Sequence, residues 1–253
     1  MKKQHENDPV LFIAVNSGNP KRSVEGYMTS VKSEWPALAD TDRTYEKKFD
    51  FGEISTSNIF QAVVVDAGGT VHTANAMDLA PSVKQVVSTA KWKIPPAEIP
   101  DALKKAWRAL EFGQMSVAAP IIKQASSASD AKVKEAAKKL EAVVVEEITS
   151  TLANAKAELD AGKKWEAYKL YDYVATNFKL FAEAKPAAAE MSKLGTDPKV
   201  KREVQARTML QKCNELLASP KKTEQQQGQM GLQTLTQQFA DTEAGEQAKS
   251  MGK

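Results

Sequence analysis

Apolar and polar positions give the chain two textures, which meet near residue 91. The first opens with Val10, Leu11, Phe12, Ile13, Ala14 and Val15. Six consecutive apolar residues predict a strand buried on both faces, central in a sheet. Asn16-Ser17-Gly18-Asn19-Pro20 supplies a turn, and residues 23–32 predict a helix in which Val24, Tyr27, Met28 and Val31 recur at three and four. Residues 35–40 read as a short extended piece. Residues 43–48 read as a helix capped by Asp42, with Gly52 just beyond it. Ala62-Val63-Val64-Val65 predicts a second strand, Asp66-Ala67-Gly68-Gly69 a tight hairpin turn, and Thr70-Val71-His72-Thr73 the antiparallel return. Residues 81–90 close the series as a helix packed through Val83, Val86 and Val87.

The second texture is helical only. Between the two, residues 91–100 carry three prolines that fix φ and remove backbone donors, so an extended linker is expected there. Residues 101–112 then put Leu103, Ala106, Trp107 and Leu110 on one stripe, with Gly113 as the C-terminal stop. A helix over 116–125 follows, and Ser129 is the expected cap of a long one running to 161. Further helices are predicted over 165–178, 186–194, 198–218, 224–239 and 242–251, the third of them opened by Asp197-Pro198. The total is about eight helices in hairpins. Leu110-x-x-Gly113 recurs as Leu159-x-x-Gly162, and Phe178 with Ala187, Ala188 and Met191 is echoed by Phe239 with Ala244, Ala248 and Met251. The spacing drifts, so the array is not a regular 34-residue repeat, although it looks like a distant tetratricopeptide-type helical-hairpin relative. Stacked hairpins build grooves for peptides or packing surfaces, and a plain helical bundle fits the same pattern.

Composition narrows the chemistry. The 253 residues hold 35 basic and 32 acidic side chains, with 42% hydrophobic and 26% charged residues, which is the balance of a globular chain. Residues 1–90 carry nine basic and eleven acidic groups, and residues 91–253 carry 26 and 21. Neither half is a polyelectrolyte, so nucleic acid is not an expected partner. The longest apolar runs are far below the roughly 18–20 residues of a membrane helix, and no apolar segment follows the basic start as a signal peptide would require. Cys213 is the single cysteine, and His5 and His72 are the two histidines. An intrachain disulfide, a dithiol pair and a multi-cysteine zinc site are therefore excluded, and neither a metal nor a cofactor is expected. Cys213 shares a helical face with Leu210, Leu216 and Leu217, as a small core residue would. His72 has no second ligand at motif spacing. Asp40, Asp42 and Asp66 fall in turns, where carboxylates usually cap. The four tryptophans read as core plugs, with Trp92 placed between domains.

The order of elements carries a resemblance. A buried strand ending in Val15-Asn16-Ser17-Gly18, then Trp35-Pro36-x-Leu38-x-Asp40, then Phe49-x-x-Gly52, then Val63-Val64-Val65-Asp66-x-Gly68-Gly69 resembles the second half of the thioredoxin fold, in its thiol-disulfide oxidoreductase branch. About 85 residues are covered. The family's Cys-x-x-Cys would precede the buried strand, which here begins ten residues into the chain. The family's cis-proline position falls on Phe60, within Ser57-Asn58-Ile59-Phe60-Gln61. Both redox elements are lacking, and dithiol exchange needs an attacking and a resolving thiol within bonding reach.

The expected fold is therefore α/β plus all-α: a truncated thioredoxin-like mixed sheet over 1–90, a linker over 91–100, and a helical-hairpin bundle or short solenoid over 101–253. The resemblance implies a redox-inactive protein that binds a protein or peptide partner, with Asn58, Ile59, Phe60 and Gln61 where relatives touch substrate peptides. For a longer parent it implies the cell envelope or periplasm, where such architectures often work, and otherwise the cytoplasm. The alternative is a piece of a thiol-disulfide oxidoreductase or peroxide-reducing parent whose Cys-x-x-Cys lies upstream. The edge of the Val10–Val15 strand is left open and invites a second copy of the chain.

Overall fold

Helices dominate the structure, a computed structural model that describes residues 2–5, 7–33, 35–41 and 43–251. Among these there are eleven α-helices and four short strands, divided between two compact units: residues 1–91 with 205–253, and residues 92–204.

In the first unit, β1 (Ala14–Ser17) runs parallel to β2 (Ala37–Asp40), with Ala14 opposite Ala37 and Ser17 opposite Asp40. The crossover is α1 (Lys21–Ser30), which packs on β2 and buries Val24. The six-residue buried strand expected from Val10 to Val15 is thus corrected. Residues 10–13 lie outside the strand and Ile13 and Val15 stay about half exposed, because among the described residues β2 is the single neighbour offering ladder partners. Phe12 packs instead by its ring, 5.5 Å from that of Trp35. The helix α2 (Thr44–Lys48) follows; Asp42, its expected cap, lies outside the described residues. Next, β3 (Val63–Val65) and β4 (Val71–Thr73) form the expected antiparallel hairpin, and α3 (Ala80–Val87) packs on β3, burying Val83 and Val86. The two strand pairs are separate sheets, so the single mixed sheet is not formed among the described residues. Two-stranded sheets are marginal alone, and here each leans on one helix.

The second unit starts where a linker was expected. Trp92 lies 4.5 Å ring to ring from Trp107, Ile94 and Ile99 are buried, and Glu111 accepts from the Lys93 and Ile94 N–H groups at 2.9 Å each. The prolines stiffen this segment, but its apolar residues fold onto α4 (Lys104–Glu111), so Trp92 is half-buried against the core of this unit. The helices α5 (Met115–Ala125), α6 (Ala131–Asp160), α7 (Lys164–Asn177) and α8 (Lys185–Leu194) follow, and the residues of α9 (Pro198–Leu217) are divided between the two units at 204/205. From α4 to α8, each packs on the next around Leu110, Ile122, Leu140, Val144, Val174 and Phe178. The cap of α6 is Asp130 rather than Ser129: its carboxylate accepts from Lys132 and Val133 N–H.

The two Leu-x-x-Gly turns share one geometry. Gly113 and Gly162 have φ of +71° and +78°. The next N–H reaches back to Ala109 O at 2.7 Å and Glu158 O at 2.9 Å respectively. Both are helix stops that close on a left-handed residue, where glycine has no Cβ penalty.

The C-terminal part of the first unit contains α10 (Lys222–Gln238) and α11 (Glu243–Met251). Leu210 and Cys213 of α9 share a small core with Leu232, Leu235, Ala244 and Ala248. Gly228 and Gly231 allow the approach: a Cβ at Gly228 would lie 2.8 Å from Leu217 Cγ, and one at Gly231 would strike Cys213 Sγ.

Candidate functional site

The loop that follows α2 takes its shape from Asn58. The side-chain oxygen accepts from Ser55 N–H at 2.6 Å, the amide donates to Glu53 O at 3.1 Å, and Gln61 Nε2 donates to Asn58 O at 3.1 Å. Two of the four residues expected to bind a partner are thus committed to holding the loop. The other two, Ile59 and Phe60, are 53% and 66% exposed. The loop leaves Ile59 and Phe60 outward, while the hydroxyls of Ser55 and Ser57 lie 2.8 Å apart within it.

Two nearly buried carboxylates fix the segment from which this loop springs. Asp40, 3% exposed, accepts from Ser17 Oγ at 3.2 Å and from the N–H groups of Tyr45 at 3.0 Å and Glu46 at 3.4 Å. It ties β1 to β2 and satisfies the first turn of α2, where helix donors lack partners. Glu46, 4% exposed, receives Arg43 Nη1 at 3.1 Å and Ile54 N–H at 3.1 Å, so it anchors the loop. Arg43 also faces Glu53 at 3.5 Å and sits in the left-handed region at φ 57°. Its guanidinium occupies the space beside Gly18, where a Cβ would come within 2.7 Å of Nη2.

Gly18, Arg43, Glu46 and Glu53 line one side of a cleft of about 1470 Å3 within the first unit, with Gln229, Gln233 and Lys249 on the other side. Lys47 Nζ donates to Ser250 O at 3.0 Å, joining α2 to α11. Arg43, Glu46, Glu53 and Lys47 spend their charges on one another and on backbone, which makes that part of the wall a framework. The turn position of Asp40 hinted at a cap. Glu46 carried no signal, because Tyr45-Glu46-Lys47-Lys48 reads like any solvated helix face.

No known protein family, curated protein or solved structure matches this chain.

Other chemically suggestive residues have structural partners. His72 Nε2 lies 2.8 Å from Asp66 Oδ2 across the hairpin. The Asp66 carboxyl is held below its ordinary range, first by the His72 hydrogen bond and then by the N–H of Thr70. A lowered carboxyl pKa means that the carboxylate stabilises the hairpin fully above its unfolded value of about 4, and that this contribution disappears as pH falls through the folded value. The protection of the Gly68 and Thr70 amides, whose N–H groups bond Asp66 Oδ1, measured against the intrinsic exchange rate at each pH, is expected to fall below pH of about 4. Asp66→Asn should remove that acid dependence; equal acid sensitivity in the variant would show that Asp66 is not its source. Cys213 is 3% exposed, and burial pushes its thiol pKa up, which disfavours the reactive thiolate. Among the described residues no group of three or more His, Cys, Asp and Glu side chains could hold a metal, and no helix is long and apolar enough to cross a membrane.

Proposed function

We propose that this chain is a non-catalytic, thioredoxin-like protein that works by binding a protein or peptide partner. Residues 1–90 supply the docking surface, and the tetratricopeptide-like hairpins beyond residue 100 act as a scaffold. One observation carries the reading. Of thirteen large hydrophobic side chains left exposed among the described residues, ten lie between Ile13 and Met77. Ile59 and Phe60 are the adjacent pair among them, and they stand out on a loop that Asn58 keeps in shape, as an apolar docking point would. The order of parallel pair, hairpin and closing helix supports the thioredoxin-like part of the proposal.

A photo-crosslinking phenylalanine analogue at position 60, expressed in the native host, should give discrete protein adducts that the same analogue at the exposed Met230 does not. Equal labelling at both positions, or none at 60, would remove the loop from the reading. Insulin reduction by dithiothreitol should run no faster with the purified chain than in buffer, since one thiol cannot both attack and resolve. Measured turnover would overturn the non-catalytic assignment.

The second reading is a thiol-disulfide oxidoreductase or peroxide-reducing parent whose Cys-x-x-Cys lies upstream of Met1. The open edge of β1 and the separation of the two strand pairs favour it, because a further strand could complete them. An in-frame Cys-x-x-Cys in the coding sequence ahead of Met1 would support it, and a continuous upstream frame without one would sink it.

A further inference from the structure

We propose that β1 pairs with β1 of a second copy of this chain, antiparallel and centred on Val15. Among the described residues the strand has one neighbour, β2. Ala14 N–H donates to Pro36 O and Gly18 N–H to Asp40 O, both at 2.9 Å. In a parallel pair a residue sends both backbone groups to one side, so Ala14, Asn16 and Gly18 face β2. The groups of Ile13, Val15 and Ser17 therefore point to the open edge. An antiparallel ladder is built from facing residues that exchange both N–H···O bonds. With a two-fold axis through Val15, the two Val15 residues form such a pair, and Ile13 forms one with Ser17 of the other copy on either side. The order of the new sheet is β2-β1-β1-β2, and the half-exposed Ile13 and Val15 side chains meet their counterparts on one face.

Charge selects a second copy over an unrelated strand. Residues 9–20 carry no charged side chain, so self-pairing sets no like charges opposite one another. Asp8 bounds this stretch at one end and Lys21 with Arg22 at the other. Antiparallel order brings the acidic end of one copy towards the basic end of the next. Residues 13–17 also lack the lysine or proline that usually keeps an edge strand single. An edge this short buries less than the roughly 1,200 Å2 of a stable complex, so the dimer is reversible.

Sedimentation velocity of the full 253-residue chain tests this. The weight-average coefficient should rise from monomer to dimer across roughly 1 to 300 μM, the range of a weak association. Val15→Lys should weaken association at least about ten-fold with an unchanged far-ultraviolet circular dichroism spectrum, and Met230→Lys should leave it unaltered. Facing Cα atoms in a hydrogen-bonded pair are about 5.5 Å apart, within disulfide range. Val15→Cys should therefore form a linked dimer with diamide much faster than Met230→Cys, which keeps the test open should Val15→Lys misfold. A monomer at every concentration, or equal cross-linking at the two positions, would overturn the proposal. Neither result bears on Phe60, whose test reads a different partner.

Discussion

Phe178→Ala is expected to destabilise the second unit by about 3–5 kcal/mol, the usual cost of emptying a fully buried aromatic site. The ring is completely buried and meets Tyr173 and Phe181 edge to face at 5.6 and 6.4 Å. It sits where α7 ends, and its N–H still closes the last turn by donating to Val174 O at 3.0 Å. Removing the side chain therefore opens a cavity at the point where α7 turns toward α8. Domains of this size have about 5–15 kcal/mol in total, so the loss should show as a large drop in the urea midpoint with an unchanged slope. Phe239 occupies the equivalent position at the end of α10 but is only half-buried, so Phe239→Ala should cost clearly less. A loss below about 1 kcal/mol for Phe178→Ala would mean that the core collapses into the gap.

Asp40→Ala should cost about 2–3 kcal/mol in the first unit, summing a lost helix cap with two N–H groups left short of an acceptor. One carboxylate oxygen serves Ser17, Tyr45 and Glu46, so its removal frees α2 and the end of β1 together. Hydrogen exchange should rise at Tyr45 and Glu46 before the unit unfolds globally. Asp40→Asn retains an acceptor and should lose about half as much. Unchanged exchange at those two amides in the alanine variant would show that α2 holds itself.

These two sites differ in how far the sequence announces them. Phe178 stands in a helical stripe with Tyr171 and Val174 and is echoed by Phe239, so its burial follows from spacing. Asp40 looked like one of three turn carboxylates. Its selection depends on β1 arriving alongside β2, a contact 23 residues apart in the chain. The candidate loop was legible by position, yet the division of labour within it was not. Asn58 and Gln61 turn inward to the loop's own backbone, and Ile59 and Phe60 are left outside. The strand at Val10 to Val15 was misplaced for a related reason. A run of apolar residues records a preference for burial, whereas a strand needs a neighbour, and β2 reaches only Ala14–Ser17.

By itself the sequence determined the helices of residues 101–253, their Gly113 and Gly162 stops, the hairpin around Asp66 and the lack of a second thiol. Each of these depends on residues within a few positions of one another, through 3.6-residue spacing, glycine's left-handed freedom or simple count. Tertiary structure alone decided that residues 92–99 fold onto α4, that Asp40 accepts from the first turn of α2, that Glu46 is buried, and that the strands among the described residues form two pairs with an open edge. Those outcomes turn on which distant segments meet, and on whether a buried polar group finds its partner there.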